Sequence, residues 1–196
     1  MKLTIIPCLN EEKTIPICIQ IAKENKVKII KVKGKGYGNT LIEGTKNAKG
    51  KCVIMGDADD SYNFLELKEF LEKLEEGYDL VIGNRYQGKI EKGAMKFTHK
   101  WIGTPILSFF VRKKYHVNIY DINCGLRGYV REKMIGIDCQ AKGMEYAAEM
   151  IIKAQQNNLK IIEIPINFYK DKRNKKSHLK TISDGIRHLQ LIHNNK

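Results

Sequence analysis

Cys52-Val53-Ile54-Met55-Gly56-Asp57-Ala58-Asp59-Asp60 is the stretch on which the fold turns. Four apolar residues predict a short buried strand, and the run breaks at once into a glycine and three acids within four positions. In an open α/β sheet, ligands bind at the carboxyl ends of parallel strands, where this turn falls. Two carboxylates at i and i+2 on an irregular turn can converge on one hard cation, or one can hold metal while the other takes a ribose hydroxyl. Mg²⁺ and Mn²⁺ accept such oxygens while also binding substrate phosphates. The other reading of Asp57 and Asp59 is an Asx turn that caps the next helix. Asp60 adds a third acid, and three clustered carboxylates repel one another without a cation, which favours metal.

Downstream, Asn63 and Glu66 predict a capping box, with Phe64, Leu67, Leu71 and Leu74 as the apolar stripe of a helix that Gly77 stops. Residues 79–83 (DLVIG) predict the next strand. Upstream, Leu3 to Ile6 predicts a strand broken by Pro7. A helix follows from an N-cap at Thr14, with Ile17, Ile21 and Ala22 at helical spacing. Val27 to Val32 predicts a second strand, residues 34–39 a glycine-rich turn and 40–48 a short helix. Strands alternating with helices predict βαβ crossovers, hence a Rossmann-like α/β fold with a mostly parallel sheet flanked by helices. After Gly83 the pattern loosens into an apolar and basic stretch at 95–111. A strand at 126–130, a helix at 145–156, a strand at 160–168 and a last helix at 179–192 follow. No repeat or linker interrupts the chain, so one domain over residues 1–196 is expected.

The 196 residues carry 35 Lys and Arg against 22 Asp and Glu, a formal net charge of +13. A composition of 42% hydrophobic and 29% charged residues excludes a mainly disordered chain. The densest apolar run, 101–111, is far shorter than the roughly 20 residues of a membrane-spanning helix. No leader peptide is expected, because the first residues already read as a strand. Five cysteines without a CxxC pair predict neither a disulfide framework nor a zinc site, and so a reducing, cytoplasmic setting. The positive charge predicts an anionic partner: nucleic acid, nucleotide phosphates or an acidic membrane surface. A lysine-rich surface without a partner is the other reading. No nucleic-acid-binding motif is present, so nucleic acid is not expected.

Three more segments carry candidate chemistry. Residues 33–39 (KGKGYGN) suit either a phosphate-contacting loop or a tight turn, and lack the ending of a P-loop. Arg85, just past a strand, can hold a phosphate through its guanidinium fork or form a surface salt bridge. Residues 170–180 (KDKRNKKSHLK) form either a solvated loop or a basic contact with an anionic membrane. No serine or cysteine has the setting of a covalent nucleophile.

Taken in order, residues 6–11 (IPCLNE), 35–39 (KGYGN), 55–61 (MGDADDS) and 82–86 (IGNRY) resemble the family 2 glycosyltransferases of GT-A fold. The likeness is specifically to the branch of polyprenyl-phosphate (dolichyl-phosphate mannose or glucose) synthases. Residues 121–129 (DINCGLRGY), 143–150 (GMEYAAEM), 160–168 (KIIEIPINF) and 177–179 (SHL) extend it over nearly the whole chain. The resemblance implies inverting transfer of a sugar from a nucleotide-diphosphate sugar to a polyprenyl phosphate. Residues 1–90 would form the nucleotide and metal half, and 91–196 the acceptor half. Pro7, Leu9, Glu11, Lys35, Gly36, Asp57 and Ala58 would line the nucleotide-sugar site, and Asp57 and Asp59 would hold Mg²⁺ or Mn²⁺. Arg85, Arg127 and His178 would contact the acceptor phosphate. Asp121, Arg127 and Glu149 would form the catalytic group, with Asp121 facing the reacting carbon in an electrostatic role first and as base second.

By the same resemblance, relatives carry a second strand after the first helix, ending in an Asp-rich turn that grips the nucleoside. Here residues 15–25 run straight into 27–32, and that strand and its Asp have no counterpart. This motivates a second expectation, a degenerate relative that binds nucleotide or lipid phosphate without turnover. Relatives often continue into transmembrane helices. Membrane contact in this chain is therefore expected from residues 101–111 and the last basic helix, with the protein peripheral to the cytoplasmic face.

Overall fold

The computed structural model describes residues 3–5, 36–57, 59–171 and 181–194. Among these residues, five strands, β1 (Leu3–Ile5), β2 (Cys52–Met55), β3 (Leu80–Asn84), β4 (Arg127–Val130) and β5 (Ile161–Pro165), form one sheet in the order β1-β2-β4-β3-β5. β1 pairs with β2 in parallel and so does β3 with β5, whereas β4 runs against both β2 and β3. Four of these strands therefore share one direction, as expected, with a reversed strand at the centre. The reversal shapes the strand ends. Arg127, the first residue of β4, lies opposite both Met55 and Ile82, so the chain before it arrives at the carboxyl ends of β2 and β3. β4, from residues 91–196, lies between β2 and β3 of residues 1–90.

Among the described residues, six helices accompany the sheet: α1 (Tyr37–Asn47), α2 (Lys68–Glu75), α3 (Thr104–Tyr115), α4 (Arg131–Gly136), α5 (Tyr146–Gln156) and α6 (Thr181–Asn194). Asn63 and Glu66 do meet, Nδ2 to Oε1 at 3.0 Å, but they open a 3₁₀ turn at Phe64–Leu67 ahead of α2. α2 then buries Phe70 and Leu74 over β4, where Gly128 lets both approach the strand. α5 buries nearly every residue from Tyr146 to Ala154, as a helix at the centre of a core does.

One expectation is corrected: of the glycine-rich turn, residues 37–39 are the first turn of α1, with Gly36 as its N-cap. A Cβ on Gly38 would fall 2.0 Å from the Ala141 carbonyl, and its N–H donates to the Lys142 carbonyl at 3.0 Å. The glycine thus serves close packing of the helix on the 141–142 loop. α3 begins within the 95–111 stretch and runs on to Tyr115, and its outward side is as apolar as its inward side, so no single-face period betrays it. The helix and strand expected at 14–22 and 27–32 lie outside the described residues. Among the described residues, no helix is long and apolar enough to cross a membrane.

Candidate active site

Asp57 follows β2 by two residues and is half-buried. The Tyr37 hydroxyl, at the start of α1, is hydrogen-bonded to it, and burial together with the Asp57 charge holds the Tyr37 phenol well above its usual range. Tyr37 therefore stays protonated, as a donor. On the other side stands Gly125, where a Cβ would come within 2.2 Å of Asp57 Oδ2. Only glycine leaves that space open. Asp59 Oδ1 accepts the main-chain N–H of Ser61 at 3.1 Å and its hydroxyl at 2.5 Å. The Asx turn is thus present, and it occupies Oδ1 of the carboxylate. Two hard oxygen donors at a strand end fit Mg²⁺ or Mn²⁺, which commonly use one or two carboxylates and complete their shell with substrate phosphates and water. Among the described residues, no group of three or more such side chains converges.

Arg85 follows β3 directly, and Asp121 lies in the segment that leads into β4. Arg85 Nε donates to Asp121 Oδ2 and a terminal guanidinium nitrogen to Oδ1, each at 2.7 Å. The Arg85 main-chain N–H adds a third bond at 3.1 Å, and the guanidinium lies 5.0 Å from the centre of the Phe168 ring. Asp121 is 0% exposed and Arg85 8%, so the surface salt bridge is corrected to a buried fork. Burial by itself disfavours the Arg85 charge, but the Asp121 carboxylate more than offsets this, so the Arg85 guanidinium has its pKa raised well above the usual value. With both oxygens on Arg85 and no exposure, Asp121 suits an electrostatic and orienting role and has no room to act as base in this arrangement.

Two other expected site residues serve the framework. Arg127 is 0% exposed, and its three nitrogens donate to the carbonyls of Cys124 (2.9 Å), Ala147 (2.6 Å) and Ile122 (2.6 Å). A guanidinium so committed holds the 122–124 turn to α5 and is not presented to a phosphate. Glu149, 4% exposed, accepts the N–H groups of Gln140 and Ala141 and pairs with Lys153 at 3.2 Å. It fixes the loop on which Gly38 rests. Gly36 stands beside that loop with φ +99°. Pro7, Leu9, Glu11, Lys35, Ala58 and His178 lie outside the described residues.

Three residues at the site went unread in the sequence. Glu163 on β5 accepts the N–H groups of Tyr120 (2.9 Å) and Asp121 (2.7 Å) with one oxygen and Asn84 Nδ2 (2.9 Å) with the other. Asn84 is fully buried and its Oδ1 accepts from the N–H groups of Tyr86 and Gln87, shaping the turn after Arg85. The Tyr62 hydroxyl accepts the Gly125 N–H at 2.9 Å, and burial raises its pKa well above the ordinary value. An acid inside the apolar strand IIEIP is the one signal that could have pointed to Glu163. Segment 121–125 therefore ties the acidic turn after β2 to the arginine after β3.

The sequence profile described as Glycosyl transferase family 2 matches residues 19–136. The chain is 32% identical to the low-salt glycan biosynthesis hexosyltransferase Agl6 of Haloferax volcanii, over 96% of this chain and 52% of that protein. It is 25% identical to glycosyltransferase AglJ of the same organism, over 85% of this chain and 54% of that protein. The chain thus spans about half the length of these curated relatives. Among solved structures, it matches glucosyl-3-phosphoglycerate synthase from Mycobacterium tuberculosis in complex with Mn²⁺, uridine diphosphate and glucosyl-3-phosphoglycerate. The TM-score is 0.70 at 14% identity, over 98% of this chain and 78% of that one. At that identity the likeness speaks for the fold alone.

Proposed function

The chain belongs to glycosyl transferase family 2 and has the GT-A fold, and on that premise we propose that it moves a hexose from a nucleotide-diphosphate sugar to a polyprenyl phosphate. The transfer inverts the anomeric carbon and requires Mg²⁺ or Mn²⁺. The observation that carries this reading is that one short segment, 121–125, joins Asp57 after β2 to the Arg85–Asp121 fork after β3, with Asp59 two positions beyond Asp57 in the same turn. The name of Agl6 supports hexosyl transfer and that of AglJ glycosyl transfer, and the structural neighbour's bound uridine diphosphate and Mn²⁺ support the donor and the ion.

Asp57 and Asp59 would hold the ion, which when bound neutralises the diphosphate that leaves. The Tyr37 hydroxyl and the Ser61 N–H and hydroxyl orient the two carboxylates. Arg85 keeps a fixed positive charge beside the site, aimed by Asp121, which costs no reorganisation when anionic groups meet there. An acceptor phosphate oxygen bonds to the anomeric carbon as the bond from that carbon to the diphosphate breaks. A phosphate monoester has its second pKa at about 6, so the attacking oxygen is already largely ionised. The buried state of Asp121 fits that chemistry, since no strong base is needed. A +13 charge suits anionic substrates, and a lipid acceptor places the protein peripherally on the cytoplasmic face of a membrane.

Incubation of the chain with UDP-glucose or GDP-mannose and a short polyprenyl phosphate, with and without Mn²⁺, tests the reading. Transfer that stops on chelation is expected. No transfer from a panel of common nucleotide sugars would sink it. A second reading, nucleotide or lipid-phosphate binding without turnover, is favoured by one observation. The alignment with Agl6 runs over 216 positions, more than the 196 residues here, so that relative carries residues without a counterpart. Calorimetric binding of nucleotide with no transfer would select it.

A further inference from the structure

Phe97, Trp101, Ile102, Ile106, Phe109 and Phe110 are 45–71% exposed, an unusual set of large apolar side chains left in water. They follow one another at near-helical spacing through the π-turn His99–Gly103 and along the outward face of α3. From Lys92 to Tyr120 the chain holds six lysines and arginines and no Asp or Glu. Lys92, Lys96 and Lys113 are exposed around the apolar residues, and the Lys100 ammonium lies 5.1 Å from the Trp101 ring centre.

We infer that this face is a membrane-docking surface that seats α3 in the headgroup region of a bilayer rich in anionic lipid. An apolar face with aromatic residues and a cationic border matches such an interface, where rings occupy headgroup level and lysines reach the phosphates. A second copy is a poor occupant, because it would set two acid-free basic stretches face to face in a chain of net charge +13. The surface also has a direct route to the site. On the inner side of α3, Ser108 Oγ accepts the Ile122 N–H at 3.3 Å, and Thr104 Oγ1 accepts from Asn123 Nδ2 at 3.1 Å. Both partners come directly after Asp121 in the chain. The Tyr86 hydroxyl donates to the Lys100 carbonyl at 2.9 Å, next to Arg85. Seating the outer face at the bilayer therefore brings the Arg85–Asp121 fork within about one helix diameter, roughly 10 Å, of the headgroups. This extends the lipid-phosphate reading from a substrate to a surface, and its test is independent of turnover.

Trp101 is the single tryptophan of the chain, so its fluorescence reports on this face alone. The full chain is titrated with vesicles of phosphatidylcholine and with vesicles containing about one third phosphatidylglycerol. A blue shift and quenching by brominated lipid are expected on the anionic vesicles and should weaken as salt is raised. Phe109→Ser with Phe110→Ser removes only half-exposed rings, so circular dichroism should be unchanged while vesicle affinity falls on the order of tenfold or more. Unchanged Trp101 emission at saturating anionic lipid overturns the inference. So does undiminished binding by the double variant. A blue shift without lipid that grows with protein concentration, with dimers in sedimentation, would assign the face to a second copy instead. Vesicle binding without sugar transfer would defeat the catalytic reading and leave this one standing.

Discussion

Glu163 Oε1 accepts the main-chain N–H of Asp121 at 2.7 Å, so an acid on β5 fixes the position of another acid 42 residues before it in the chain. Through its other oxygen Glu163 also holds Asn84, the residue before Arg85. One carboxylate thus anchors both ends of the buried fork, and the fork's geometry depends on a side chain that touches neither the guanidinium of Arg85 nor the carboxylate of Asp121.

Breaking that fork from one side should be costly. Asp121→Asn leaves the Arg85 charge buried without its counterion, and such a loss is typically about 3–5 kcal/mol. Urea unfolding should show a destabilisation of that order, together with loss of transfer. Arg85→Met combined with Asp121→Leu should recover most of the stability and none of the activity. Equal stability of wild type and the single variant would mean that the pair is hydrated in solution.

Glu163 gives a pH dependence of defined sign. Burial, reinforced by the Asp121 charge, raises its pKa above the ordinary 4.5, although the N–H groups of Asp121 and Tyr120 and the Asn84 amide pull it down. Below 4.5 the group is protonated in both folded and unfolded chains and contributes no difference. As pH rises from there through the raised folded value, the unfolded chain loses its proton first, so stability falls. Above the folded value the penalty is complete. Relative to Glu163→Gln, wild type should lose stability across that window and run parallel outside it. A difference curve flat from about pH 4 to 8 would contradict the raised value.

Gly125 should act on the cation through Asp57. The Cβ of Gly125→Ala meets the end of a movable side chain at 2.2 Å, so Asp57 must swing away at little cost to folding. Nucleotide binding measured by calorimetry should lose its enhancement by Mn²⁺, with melting temperature nearly unchanged. Asp59→Asn should do the same, because an amide oxygen still accepts from Ser61 and keeps the turn. Retention of the full Mn²⁺ effect in either variant removes these carboxylates from the metal site.

Arg127 should behave as a strut. Truncation to Met leaves three buried carbonyls without a donor, at about 1–3 kcal/mol for each group that stays unpaired. Arg127→Met should therefore unfold at markedly lower urea, while the fraction still folded binds nucleotide with wild-type affinity. A stable variant with a raised KM for acceptor would restore the phosphate-contact role.

What could be read from the chain alone was local. The apolar run 52–55 followed by Gly56 and Asp57 defines a strand and its turn within a few residues, Asn63 and Glu66 meet three positions apart, and the helix at 146–156 lies within the expected 145–156. Order along the chain also sufficed for the α/β class, since short strands separated by helices leave few ways to bury both faces of a sheet. Everything that rests on partners far apart in sequence needed the fold. Arg85 and Asp121 are 36 residues apart, Asn84 and Glu163 are 79, and neither pairing follows from spacing or charge. The reversal of β4 decides them: it returns segment 121–125 to the strand ends, closes Gly125 against Asp57 and buries Arg127 among carbonyls. A charged side chain's role is set by what surrounds it after packing, by desolvation and by the donors and acceptors that register brings within reach. Sequence determined the family and the local elements of this chain, and tertiary structure decided which of its charges are held in the framework.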